Sequence, residues 1–90
     1  MKYVLFYESA ADVLAKAPLH AAEHRALWNE FFAAGQLLMI GPFADPREGA
    51  MGIFTTREAA ETFASRDPFV RHAVVVKWHV REWLAVSPNA

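Results

Sequence analysis

Two stretches of this chain are apolar at consecutive positions, Tyr3 to Tyr7 and Leu37 to Ile40. Both have strand length, and the aromatic and β-branched residues of the first favour extended backbone. A strand sends alternate side chains to opposite faces. Here both parities are apolar: Val4 and Phe6 against Tyr3, Leu5 and Tyr7, and Leu38 and Ile40 against Leu37 and Met39. Such strands belong in a sheet that is covered on both sides. The chain has 90 residues, enough for one domain and not two. Its own helices therefore cover one face, and the second face calls for a partner or a ligand.

Ser9 to Pro18 reads as a connector with a helical turn around Asp12 to Lys16. A helix follows from Leu19. His20, His24, Leu27, Trp28 and Phe31 recur at helical spacing and share one face. Gly35 ends the helix at a left-handed position. Leu37 to Ile40 stops at Gly41-Pro42, and Ala44 to Gly49 is a turn-rich loop containing Asp45-Pro46. Ala50 to Thr55 is a third strand, in which Gly52 weakens the strand or admits a close approach of another group. Thr56 suits the cap of a helix over Arg57 to Arg66, with Ala59, Ala60 and Phe63 as its apolar side. Asp67-Pro68 closes that helix, because the residue before proline is driven out of helical geometry. The last strand, Val74 to Trp83, sets Val74, Val76, Trp78 and Val80 on one side and Val75, Lys77, His79, Arg81 and Trp83 on the other. Residues 1–84 form the expected domain and 85–90 a flexible tail.

The order β-α-β-β-α-β predicts an α+β, ferredoxin-like fold: a four-stranded antiparallel sheet with two helices on one face. The simplest cover for the other face is a second copy related by two-fold symmetry, so a homodimer is expected.

Composition narrows the function classes. The chain has no cysteine, which excludes disulfides, thiol catalysis, iron–sulfur clusters and cysteine-based zinc sites. Nine Lys and Arg are scattered through a chain of net charge −1, without the basic stripe that nucleic-acid binding requires. No apolar run approaches the roughly 20 residues that span a bilayer. Met1 to Tyr7 is too short for a signal peptide and Glu8 interrupts it, so a cytoplasmic location is expected. The glycines are dispersed and form no phosphate loop. Neither a cofactor nor a metal is expected.

His24 and Asp67 are the acid/base pair with a plausible chemical use. His24 lies on the apolar stripe, either as a core histidine bonded to a neighbour or as a general acid/base, since imidazole titrates near neutral pH. Asp67 reads as a turn or cap residue ahead of proline. It also stands at the negative end of a helix, where a cationic group opposite, His24 or Arg66, makes a carboxylate more tolerable. His20-Ala21-Ala22-Glu23-His24 matches the H-x-x-E-H zinc-protease signature. The chain is small for a substrate cleft and offers no third ligand, so adventitious metal binding is the expected extent of it. His79 shares a parity with Lys77 and Arg81 on a polar or interface edge. His72 reads as solvated, and Trp28, Trp78 and Trp83 as packing residues.

Taken in order, the residues resemble the YCII-related family of small dimeric domains. They are Lys2-Tyr3-Val4-Leu5, His24 ahead of Gly35, Gly35-Gln36-Leu37-Leu38 running into Gly41-Pro42, the glycine of the third strand, Glu58-Ala59-Ala60, Asp67-Pro68-Phe69-Val70 and a Val-rich final strand with Trp78. The resemblance spans nearly the whole chain. It implies a ferredoxin-like fold assembled as a dimeric α+β barrel, with His24 and Asp67 matching the family's active-site pair. The related barrel superfamily includes monooxygenases, lactone isomerases and dehalogenating enzymes, and one branch of the family is associated with dehydrochlorination of a chlorinated hydroquinone.

The resemblance thus implies a small cofactor-independent enzyme, carrying out elimination or isomerisation on a small aromatic or apolar substrate. The substrate would lie between the first helix, the sheet and the Asp67 turn. His24 would move a proton and Asp67 orient the imidazole. Gly41 and Pro42 would admit the ligand close to the backbone, and Phe69 and Trp28 would contact it. The alternative is a non-catalytic dimeric module that binds a small ligand or supports a partner, with the pair as a structural hydrogen bond. A metal- or haem-dependent oxygenase of the same architecture is a third reading.

Overall fold

The structure, a computed structural model, describes residues 1–88. Its elements run β1 (Lys2–Ser9), α1 (Val13–Ala33), β2 (Leu37–Pro42), β3 (Ala50–Phe54), α2 (Arg57–Arg66), α3 (Pro68–Arg71) and β4 (Val75–Trp83), with a 3-10 turn at Pro46–Glu48. The sheet order is β2-β3-β1-β4 and each neighbouring pair is antiparallel. This is the α+β ferredoxin-like arrangement. Of the expected tail, residues 89–90 lie outside the described residues, and those from Leu84 to Pro88 have no helix or strand.

The core lies between the helices and one sheet face. Leu5 and Tyr7 of β1, Leu37 of β2 and Phe54 of β3 meet Leu27 and Phe31 of α1 and the α2 stripe Ala59, Ala60, Phe63 and Ala64. The rings of Phe31, Phe54 and Phe63 close its centre, with centroids 5.2 to 6.3 Å apart. The alanines let α2 lie close against the sheet. Thr56 caps α2 by accepting from the Ala59 N–H at 3.1 Å. Gly35, at φ 71°, closes α1 with paired bonds from Gln36 N to the Phe31 carbonyl and from Gly35 N to the Phe32 carbonyl.

Helix α1 begins at Val13, not Leu19, and contains Pro18. Proline removes one helical hydrogen bond, whose acceptor would be the Leu14 carbonyl. Leu14 and Pro18 are both exposed residues, on a side of the helix where a free carbonyl can turn to water. Burial of Val13 and a 3.4 Å bond from Lys16 Nζ to the Ala73 carbonyl hold this extra turn in place.

The expected alternation also fails at two bulges. In β4, Lys77 pairs with Glu8 and Val75 with Ser9, which leaves Val76 unpaired. Val75, Trp78 and Val80 therefore face the core, while Val76 is 63% exposed. In β2 the register shifts between Leu37 and Met39, so Leu37 and Ile40 face the core and Leu38 and Met39 do not. One inserted residue reverses the parity of everything beyond it.

The β2–β3 connection folds back over the end of β1. Ser9 Oγ donates to the Pro46 carbonyl at 2.6 Å, and Phe43 N to the Gly49 carbonyl at 2.9 Å. Gly49 has φ 108° and ψ −163°, a conformation essentially confined to glycine. A Cβ there would collide with the Tyr7 carbonyl oxygen. Gly49→Ala is thus expected to destabilise the fold by about 3 kcal/mol, read from urea unfolding. A loss below about 0.5 kcal/mol would show that the turn relaxes freely.

Candidate active site

Asp67 joins α2 to α3 in extended backbone, at φ −66° and ψ 123°. Pro68 imposes that break, and the break turns the Asp67 side chain into the protein. The side chain is fully buried. Its Oδ1 accepts from the Phe69 N–H at 3.0 Å, capping α3, and also meets His24 Nδ1 at 2.7 Å. Its Oδ2 accepts from the Tyr7 hydroxyl at 2.6 Å. Cap and pair, alternatives in the sequence, coexist in one side chain. Arg66, the other cation considered for this position, instead forks onto Glu30 at 2.6 and 3.1 Å.

An ionised carboxylate only accepts, so His24 Nδ1 carries the hydrogen and donates it. In the neutral ring, Nε2 then holds the free lone pair. Among the described residues Nε2 has no hydrogen-bond partner, and no buried side-chain nitrogen or oxygen is left unpaired, so Nε2 is reachable from outside. The ring is clamped. It stacks on Phe69 with centroids 3.8 Å apart at 10°, and meets the Trp28 ring edge-on at 5.0 Å.

His24 lines a cavity of about 500 Å³ between α1, the core face of the sheet and the Pro46–Glu48 turn. Gly41, Pro42, Trp28 and Phe69 line it as well. Asp67 does not; it stands behind His24. The walls are mostly apolar, with Leu5, Ile40 and Val74 among them. A Cβ on Gly41 would meet nothing within 4 Å, so space remains beside that backbone. Gly52 is the tighter glycine: it is buried, and a Cβ there would come within 3.1 Å of the Phe54 ring and 3.4 Å of Ile40.

Tyr7 is the group that sequence reasoning missed. A tyrosine on the core face of a strand must find a partner for its hydroxyl, and that was the available signal. Burial, followed by the charge of Asp67 and the hydrogen bond to it, raises its pKa far above the ordinary 10.0. Tyr7 therefore keeps its proton while folded, whereas the unfolded chain releases it near pH 10.0. Above that pH the native state binds more protons than the unfolded state, so stability falls as pH rises. The expected loss is roughly tenfold in the folding equilibrium per pH unit. Urea unfolding between pH 9 and 11 tests it, because Tyr7→Phe is expected to lack this part of the slope. Equal slopes in the two proteins would refute the assignment.

The other histidines stand apart. His20 stacks on His72 with centroids 4.1 Å apart at 4°. His79 stacks on Phe6 and receives a 3.4 Å hydrogen bond from Arg81. Among the described residues no three His, Asp or Glu side chains converge as metal ligands. Nor is any described helix long and apolar enough to cross a membrane.

The family model of the YCII-related domain matches residues 1–84. Among solved structures the chain is similar to 5-chloro-2-hydroxyhydroquinone dehydrochlorinase from Burkholderia phenoliruptrix, in complex with 2,5-dihydroxybenzoquinone. The TM-score is 0.74 at 18% identity, over 92% of this chain and 93% of that one. No curated protein matches by sequence.

Proposed function

This chain belongs to the YCII-related family, and we propose that it is a small enzyme that moves a proton on a compact aromatic or apolar substrate through His24. The observation that carries this reading is the fixed imidazole. Asp67, itself held by Tyr7 and the Phe69 N–H, sets Nδ1 as donor and leaves Nε2 free at a cavity of substrate size. Nε2 takes a proton from the substrate. The released electron pair moves toward a neighbouring carbon, whose leaving group departs with its own bonding pair in an elimination. In an isomerisation the pair is reprotonated elsewhere. Asp67 stabilises the imidazolium until the proton passes to water. A dehydrochlorinase among the structural neighbours favours elimination and a hydroxylated aromatic substrate. The test is a screen of chlorinated hydroquinones under nitrogen, read as enzyme-dependent chloride release. Release that is equal with and without protein overturns the elimination reading.

A second reading has its own support. Asp67 is fully satisfied as a cap and as an acceptor for two side chains, which is what a structural hydrogen-bond centre in a ligand-binding module requires. That module would bind its ligand without turning it over.

The open sheet face supports assembly as a homodimer, in the manner of a dimeric α+β barrel. It carries the half-buried Phe6, Met51 and Ile53 around a buried Val4, with Met39 at 67% exposure and Trp83 at 47%. A patch of this kind marks an interaction site, and a two-fold axis lets the same face cover itself. Sedimentation at micromolar concentration is expected to give a dimer. A monomer would remove this part of the proposal. The absence of a membrane-crossing helix among the described residues is compatible with a cytoplasmic location.

A further inference from the structure

Among the described residues the cavity has one fixed charge on its wall. Arg25 follows His24 on α1 and lines the same space, and no described Asp, Glu or Lys does. Its guanidinium carbon lies 6.0 Å from the centre of the Trp28 ring, and Trp28 in turn meets the His24 ring edge-on. Arg47 and Arg66 are each taken up by a carboxylate, Asp45 and Glu30. Among the described residues, Arg25 has no carboxylate within ion-pair distance and no hydrogen-bond partner. A mostly apolar cavity thus presents an unpaired cation on a wall that it shares with His24.

We propose that Arg25 anchors an anionic oxygen of the substrate, so that the ligand class is a small aromatic monoanion of the phenolate or enolate type. The inference rests on the proton-transfer reading of the cavity and narrows its substrate class. Trp28 holds the guanidinium from one side and leaves its N–H fork for an oxyanion. A proton removed at His24 Nε2 leaves an electron pair that spreads onto a conjugated oxygen. The oxygen that Arg25 holds is charged before that proton leaves, so the contact binds and orients the anion at the imidazole. Without ligand Arg25 is exposed and solvated, so keeping it unpaired costs the fold little.

Equilibrium binding of two probes tests this without any turnover. One is 4-nitrophenol, measured as the phenolate; the other is 4-nitroanisole, the same ring without an ionisable oxygen. Wild type is expected to bind the phenolate about tenfold more tightly than the ether, the range for a charge-assisted hydrogen bond at a partly exposed site. Arg25→Met is expected to erase that preference and leave the affinity for 4-nitroanisole unchanged. Arg25→Lys is expected to keep part of it. Equal affinities in wild type, a preference that survives Arg25→Met, or no binding of either probe would each overturn the assignment. The proton-transfer reading falls on a different result, an unchanged turnover in His24→Ala. Loss of the one is therefore distinguishable from loss of the other.

Discussion

His24→Ala is expected to lower turnover by ~10²–10⁴-fold, the range that a positioned general base supplies, while the protein remains folded. The structure gives reasons for both parts. Removing the imidazole takes away Nε2, the free nitrogen at the cavity. Asp67 still keeps the Tyr7 hydroxyl and the Phe69 N–H as donors, so the buried carboxylate is not abandoned. The expected stability loss is ~1–3 kcal/mol, for one lost hydrogen bond to a charged group and a partly filled cavity. The assay is turnover of a substrate from the chlorinated hydroquinone screen, with urea unfolding run alongside. Free imidazole offers a further check, since a base diffusing into the vacated space is expected to restore part of the rate. An unchanged rate in His24→Ala would end the proton-transfer reading.

Much of this geometry follows from local rules. Pro68 forces Asp67 out of the helix, Thr56 starts α2, and Gly35 stops α1. Each acts through its nearest neighbours, and each can be read from a few residues. The parities of β2 and β4 could not be read this way. A bulge is set by pairing across the sheet: Val76 is displaced because Glu8 and Ser9 take Lys77 and Val75 as partners. Pro18 misled for a related reason. Proline usually marks a helix boundary, but its cost is small where the orphaned carbonyl faces solvent.

The site divides along the same line. His24 and Asp67 drew notice as residue types and as family positions, and the structure brings them to 2.7 Å. Tyr7 stands 60 residues from Asp67 in the chain, and only the fold joins them. Nothing in the sequence sets Arg25 apart from the other charged residues of α1. A cavity wall beside it, and the lack of a carboxylate, are properties of the assembled structure rather than of the helix.

Asp67→Asn separates the two readings of the pair. Asparagine keeps the shape of the side chain but has one acceptor oxygen and one donor nitrogen, where Asp67 now receives three donors. The less costly orientation keeps the oxygen toward His24 and the Phe69 N–H and turns the amide toward Tyr7. The Tyr7 hydroxyl can then accept rather than donate, and its own hydrogen loses a partner. That costs ~1–3 kcal/mol. The alternative orientation faces the amide toward His24 and reverses the imidazole tautomer, orphaning the Phe69 N–H. In either case the negative charge that stabilises an imidazolium is gone, and turnover is expected to fall by ~10²–10⁴-fold. Asp67→Ala leaves all three donors without an acceptor, so a loss of roughly 3–5 kcal/mol is expected. Nitrogen-15 NMR of the His24 ring reports the tautomer, and urea unfolding reports the stability. An Asp67→Asn protein that is folded, inactive and altered at the His24 nitrogens is the signature of an orienting carboxylate. One that loses stability but keeps its turnover per folded molecule would make Asp67 a cap and a core acceptor alone, and the ligand-binding module would then be the better account of the cavity.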